Sequence, residues 1–167
     1  MNTTTLYPNF EFFRSCILEH GGPDLQEIAF DSESKAYEAC EFLLNKRRIR
    51  FRAAKTTPKK AGQFVTIWKR NPESGVTMPW EKSDAIDFAL LFCADAHKKG
   101  FFLLPESVLE KQGLIATAQN KGKRGFRIYA PWDKVHNDGA KKAKAWQLPF
   151  FMECTANSFT TLFDHLK

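Results

Sequence analysis

KRRIRFRAAKTTPKKAGQFVTIWKR, residues 46–70, holds ten basic side chains and no acidic one. Within it Arg48, Arg50 and Arg52 alternate with Ile49, Phe51 and Ala53. In a pleated strand that period of two sends the arginines to one face and the apolar residues to the other. The loop KTTPKKAG, broken by Pro58 and Gly62, leads to QFVTIWKR, where Phe64, Thr66 and Trp68 alternate with Val65 and Ile67. Upstream, residues 37–44 (YEACEFLL) read as a strand and Asn45-Lys46 as the tight turn after it. Three such strands in a row predict an antiparallel meander with a basic face.

Outward from this segment the periodicity changes. Phe10, Phe13, Ile17 and Leu18 recur at helical spacing and Gly21-Gly22 supply a stop, which predicts a helix over 7–20. Residues 86–94 form an apolar run suited to a buried strand, a turn falls near Lys98-Lys99-Gly100, and FFLLP reads as the returning strand. Pro105 opens a short helix through Gln112, stopped at Gly113. Residues 122–129 read as a basic turn and a short strand. A helix over 137–154 uses Ala140, Ala143 and Trp146, with a kink or restart at Pro149. A last amphipathic helix spans 157–166. The elements predict an α+β (α/β-like) fold in one domain, with a mixed, largely antiparallel central sheet flanked by helices.

Size and composition agree with this reading. At 167 residues, 43% hydrophobic and with 16 Phe, the chain can bury about two-thirds of its unfolded surface without disulfides or metal. The cysteines at 16, 40, 93 and 154 and the histidines at 20, 97, 136 and 165 have no zinc-site or CxxC spacing, so the thiols are expected to be reduced core residues. No signal-peptide pattern opens the sequence and no run is long enough to span a membrane, which sets a cytoplasmic expectation. The net charge of +6 is segregated: residues 1–45 are acidic, 46–70 are wholly basic and 116–167 are basic again. A folded sheet could bring the two basic segments onto one face and offer it to a polyanion.

FRAAKTTPKKAGQFVTIWKR from Phe51 closely resembles the most characteristic stretch of the MepB family. MPWEKSDAIDF, GFFLLPESVL, KGKRGFRIYAPWDK and AKAWQLPFF follow in the family's order, so the resemblance covers roughly residues 35–151. The family is named from a gene encoded beside a multidrug efflux pump, which implies an association with drug-efflux or stress genes. It also implies a restriction-endonuclease-like core, a fold whose other members mostly bind or cut nucleic acid. Such an analogy raises an expectation and assigns no activity.

The residues favour holding a polyanion over cutting one. A nuclease of that class resembles an Asp on one strand and a Glu-x-Lys or Gln-x-Lys on the next, because the carboxylates hold a divalent metal and the Lys stabilises phosphorane charge. Here RIRFRAAK has no acid, and Gln63 is followed two positions later by Val65. The displaced-ligand alternative uses Glu38, Glu41, Asp84 or Asp87 with magnesium or manganese; otherwise no cofactor is expected. The alternative for Asp84 is a turn cap or an arginine partner. No GxSxG, phosphate-loop or GxGxxG pattern is present.

The leading expectation is a DNA- or RNA-binding protein that contacts backbone phosphates through Arg48, Arg50, Arg52, Lys55, Lys59, Lys60, Lys69, Arg70, Lys123, Arg124 and Arg127. Trp68 and Trp132 are candidate stacking residues or core fillers. The competing expectation is a protein-interaction module whose arginines are neutralised by carboxylates from the acidic first 45 residues.

Overall fold

A computed structural model describes residues 6–167. Its largest sheet has six strands: β1 (Gln26–Phe30), β2 (Cys40–Leu44), β3 (Arg47–Ala53), β8 (Phe88–Ala94), β9 (Lys99–Pro105) and β11 (Phe151–Glu153). They lie in the order β1-β2-β3-β8-β9-β11. Only the β3–β8 pairing is parallel, with Ile49 opposite Phe88 and Ala53 opposite Phe92. The fold is thus mixed α+β around a mostly antiparallel sheet, as the periodicity predicts.

The β2–β3 turn follows its sequence closely. Asn45 and Lys46 both have positive φ, 50° and 64°, the left-handed pair that a two-residue hairpin needs to match strand twist. The predicted meander is corrected at the next step. β3 does not pair with QFVTIWKR, because its free edge is taken by the seven-residue apolar strand β8. QFVTIWKR breaks at Ile67. Its first part, β5 (Gln63–Thr66), sits between β4 (Lys55–Thr56) and β10 (Gly125–Ile128) in a three-stranded sheet. Its second part, β6 (Trp68–Arg70), pairs with β7 (Thr77–Pro79).

The pleat of the central sheet feeds two cores. On one face Phe42, Ile49, Phe51, Leu90, Phe92, Phe101 and Leu103 meet Phe10, Phe13 and Ile17 of α1 (Pro8–Glu19), with Phe159 and Leu162 of α4 (Ala156–His165). Those rings interlock: Phe13 lies 5.4 Å from Phe101 and Phe10 lies 5.4 Å from Phe51. On the other face Ala89, Leu91, Phe102 and Leu104 pack under Val65, Ile67, Trp80, Ile128 and Leu109, the last from α2 (Glu106–Lys111). The helix expected over 137–154 ends earlier, as α3 (Asp138–Gln147). Pro149 then lies in a 3-10 turn and the chain restarts as β11, because proline lacks the N–H that a helix interior needs. Among the described residues no helix is long and apolar enough to cross a membrane.

Candidate functional site

The second face of the central sheet is apolar over β8 and β9 but charged over β2 and β3. Arg48, Arg50 and Arg52 do share it, as their alternation requires. Yet their side chains are 47%, 17% and 3% exposed, so exposure falls steadily along the strand. The fully buried Trp80 covers the inner two, with the Arg50 and Arg52 guanidinium carbons 5.3 and 5.0 Å from its ring centroid. The expected solvent-facing basic strand is therefore corrected. Ala89, Leu91, Phe102 and Leu104 make this second face apolar over β8 and β9, so a layer packs on it, and Trp80 of that layer extends over these arginines.

Carboxylates complete the arrangement. Glu41 stands opposite Arg50 in register and accepts from Arg50 Nε at 2.8 Å and Arg48 Nη1 at 2.9 Å. Asp84 accepts from Lys69 Nζ at 2.5 Å, the Glu81 amide at 2.9 Å and Arg50 Nη1 at 3.4 Å. Lys69 also reaches Glu81 at 2.7 Å, and Arg70 reaches Glu33 at 3.0 Å. Burial would push the Asp84 carboxyl up, but the Glu81 N–H, Lys69 and Arg50 outweigh it and hold it below the usual carboxylate range. Arg52 is served least well. Its Nη1 donates to the Phe51 carbonyl at 2.8 Å, its nearest carboxylate, Asp31, is 3.9 Å away, and burial pulls its pKa down to about 10.

The four acids considered as metal ligands are dispersed. Glu41 and Asp84 converge on Arg50, but Glu38 accepts from the Asn9 and Phe10 amides at the start of α1. Asp87 accepts from the Arg48 amide at 2.8 Å. Among the described residues no group of three or more His, Cys, Asp or Glu side chains has the geometry to hold a metal. Burial raises the Cys40 and Cys93 thiols, which are inert core groups in this setting.

The small sheet presents a different basic surface. Arg127, Phe64 and Lys55 face one another across β10, β5 and β4, forming one row on the side opposite buried Val65 and Ile128. Arg127 clamps the loop before β5: Nε and Nη2 donate to the Ala61 carbonyl at 3.1 and 2.9 Å, and Nη1 to Thr57 at 2.9 Å. That loop passes Gly62, φ +72°, where a Cβ would come within 2.5 Å of the Ile128 carbonyl oxygen. Tyr37 stands 6.3 Å from Phe64, with the Lys55 ammonium 5.4 Å from the Tyr37 ring. A cavity of about 360 Å3 beside the loop is lined by Lys59, Lys60, Arg127, Tyr129, His136 and Asn137. Among the described residues Lys55, Lys59, Lys60, Lys123, Arg124 and Arg127 make no ion pair.

The eleven cations named from the sequence thus divide. Arg48, Arg50, Arg52, Lys69 and Arg70 join the neutralised network, Lys55, Lys59, Lys60 and Arg127 gather at the small sheet, Lys123 lines a cleft with Arg127 and Trp146, and Arg124 donates to the Thr77 carbonyl of β7 at 2.8 Å. Trp68 and Trp132 do not join that surface row: Trp68 sits on β6 with Arg70 5.8 Å from its ring, and Trp132 packs edge-on against Phe151 at 5.5 Å. The sequence reading missed Tyr37 and Phe64 as surface aromatics and Trp80 as the lid over the arginines. The alternation of Phe64 with buried Val65 was the available signal for the first pair.

A family model described as MepB-like matches residues 31–153, which include the whole arginine–carboxylate network and the small sheet. A crystal structure of MepB superposes with a TM-score of 0.76 at 27% identity, covering 92% of this chain and 97% of that one. A bacterial homing endonuclease, I-Ssp6803I, gives a TM-score of 0.49 at 14% identity, covering 87% of this chain and 91% of that one. No curated protein matches the chain.

Proposed function

The chain belongs to the MepB-like family, whose model spans residues 31–153, and from that premise we propose that it binds the phosphate backbone of DNA or RNA through the small-sheet surface. The observation that supports this is that Lys55 and Arg127 flank Phe64 in register and that Lys59, Lys60 and Arg127 line one cavity, none of them with a carboxylate partner among the described residues. Lysine ammonium groups left unpaired in this way bind phosphate oxygens and release condensed counterions, giving affinity without sequence preference, while Arg127, whose donors are held by Ala61, Gly62 and Thr57, adds charge. α3, whose Ala140 lines the cavity with Lys59 and Lys60, carries the exposed Lys141 and Lys142. Half-buried Phe64 and Tyr37 offer ring faces beside the cations, which suits an unpaired base of a single strand.

Retention on single- and double-stranded DNA and on RNA, measured against salt, tests the reading. The triple variant Lys59→Ala, Lys60→Ala, Lys123→Ala is expected to flatten the salt slope by roughly 2 to 3, close to one for each phosphate no longer neutralised. Arg48→Ala removes a cation already paired with Glu41 and is expected to leave the slope unchanged. Absence of retention on all three polymers at low salt overturns the proposal. Strand cleavage on adding magnesium or manganese, lost in Asp84→Ala, would replace it with a metal-dependent nuclease.

A further inference from the structure

β10 is an outer strand of the small sheet, and α3 packs beside its free edge. A helix interior has no backbone groups left to pair with a strand edge, so a side chain does the pairing. Buried Gln147 donates through Nε2 to the Arg127 carbonyl at 3.0 Å and accepts at Oε1 from the Tyr129 N–H at 2.8 Å. Helix and strand do not close fully on each other. A cleft of about 200 Å3 remains, lined by Gln112, Lys123, Phe126, Arg127, Tyr129 and Trp146. Phe126 on β10 and Trp146 on α3 are its aromatic walls, with ring planes 17° from parallel and centroids 6.5 Å apart. Both rings are only half-buried.

Size, wall chemistry and position together narrow what fits this cleft. Sites for drug-sized ligands run to about 300–1,000 Å3, so the smaller volume here suits a single planar ring system. The two aromatic walls favour a ring with a π-face of its own. Half-buried Gln112 brings an amide that both donates and accepts, which matches the mixed hydrogen-bonding edge of a base. Exposed Lys123 puts a positive charge beside the ring site, where a base carries its phosphate. The cleft also shares Arg127 and Tyr129 with the cavity lined by Lys59 and Lys60, so the two openings have a common wall. We propose that the cleft takes an unpaired nucleobase from a single strand whose phosphates lie on Lys59, Lys60 and Lys123. The inference rests on the phosphate-backbone reading and adds to it a preference for single strands over duplex, since a paired base must first leave its stack to enter.

The test uses the full chain labelled with nitrogen-15, in which the Trp146 indole signal is identified by its loss in Trp146→Phe. Three probes are titrated at low salt: oligothymidine, a backbone of the same length with abasic sites throughout, and the duplex of oligothymidine with oligoadenosine. Oligothymidine is expected to bind at least about tenfold more tightly than the abasic strand, the effect of one base stacked on a ring, and to shift the Trp146 indole. The abasic strand and the duplex are expected to leave that indole in place. Phe64 and Tyr37 also offer rings to a base, so Trp146→Leu supplies a second reading and is expected to narrow the preference for oligothymidine about tenfold. Should that variant not fold, the indole of the unaltered chain decides. Equal affinity for the two strands, an indole unmoved by bound oligothymidine, an equal shift with the duplex, or an undiminished preference in folded Trp146→Leu overturns the base cleft and leaves phosphate binding standing. Failure of all three probes to bind overturns both.

Discussion

Single residues decide whether the charged face stabilises the protein or burdens it. Asp84 is the clearest case, since its side chain is 11% exposed and receives Lys69, Arg50 and a backbone N–H. An Asp in the unfolded chain titrates at about pH 3.9, and the folded carboxyl titrates lower. Its contribution is complete above about pH 5 and disappears as the pH falls through the folded value. Asp84→Asn is expected to cost about 1–3 kcal/mol at pH 7, with the gap to the parent closing in urea unfolding curves as the pH falls through the folded value. A gap that persists at low pH would mean the loss comes from packing and not from charge. That Asp84 pairs with an arginine was among the readings open from the sequence. That Lys69 joins it was not legible, because fifteen residues separate the two and only the fold of β6 onto β7 brings them together.

At the scale of elements, local chemistry was most legible where the partner is next in sequence. The Asn45-Lys46 turn has a conformation that favours Asn-Gly, and Lys46 at φ 64° carries the strain of a side chain in the left-handed region. Lys46→Gly is expected to stabilise the hairpin by about 0.5–1 kcal/mol, read as a raised melting temperature without change of fold. An unchanged or lowered melting temperature would show that unfolded-state entropy outweighs the relief. Pairing across long gaps was not legible. The alternation of QFVTIWKR fixes which residues face inward, but says nothing of which strand lies alongside. β1 was not legible either, because it is an edge strand with a bulge at Glu27 and little burial, so its sequence lacks the apolar signal of a central strand.

Across the whole molecule the two cores share one sheet. β8 sends Leu90 and Phe92 to the helical side and Ala89 and Leu91 to the other, and β9 divides Phe101 and Leu103 from Phe102 and Leu104 in the same way. Neither core can lose its sheet without exposing the other, so a single cooperative transition is expected. Phe13→Ala, at about 3–5 kcal/mol, and Leu104→Ala, at about 2–5 kcal/mol, should both shift that one transition, with near-ultraviolet and far-ultraviolet dichroism coinciding. Two separable transitions would show that the cores fold apart. By itself, the sequence determined the mixed α+β class, the strand that segregates arginines from apolar residues, its hairpin turn and the helices at either end, because these depend on periodicity and neighbouring residues. Only the tertiary structure decided which cations stay free. Alternation gives a strand two faces without saying which of them meets solvent, and here the second layer, led by Trp80, closes over Arg50 and Arg52. On the small sheet, by contrast, Lys55 and Arg127 make no ion pair among the described residues and meet across Phe64 from positions seventy-two residues apart.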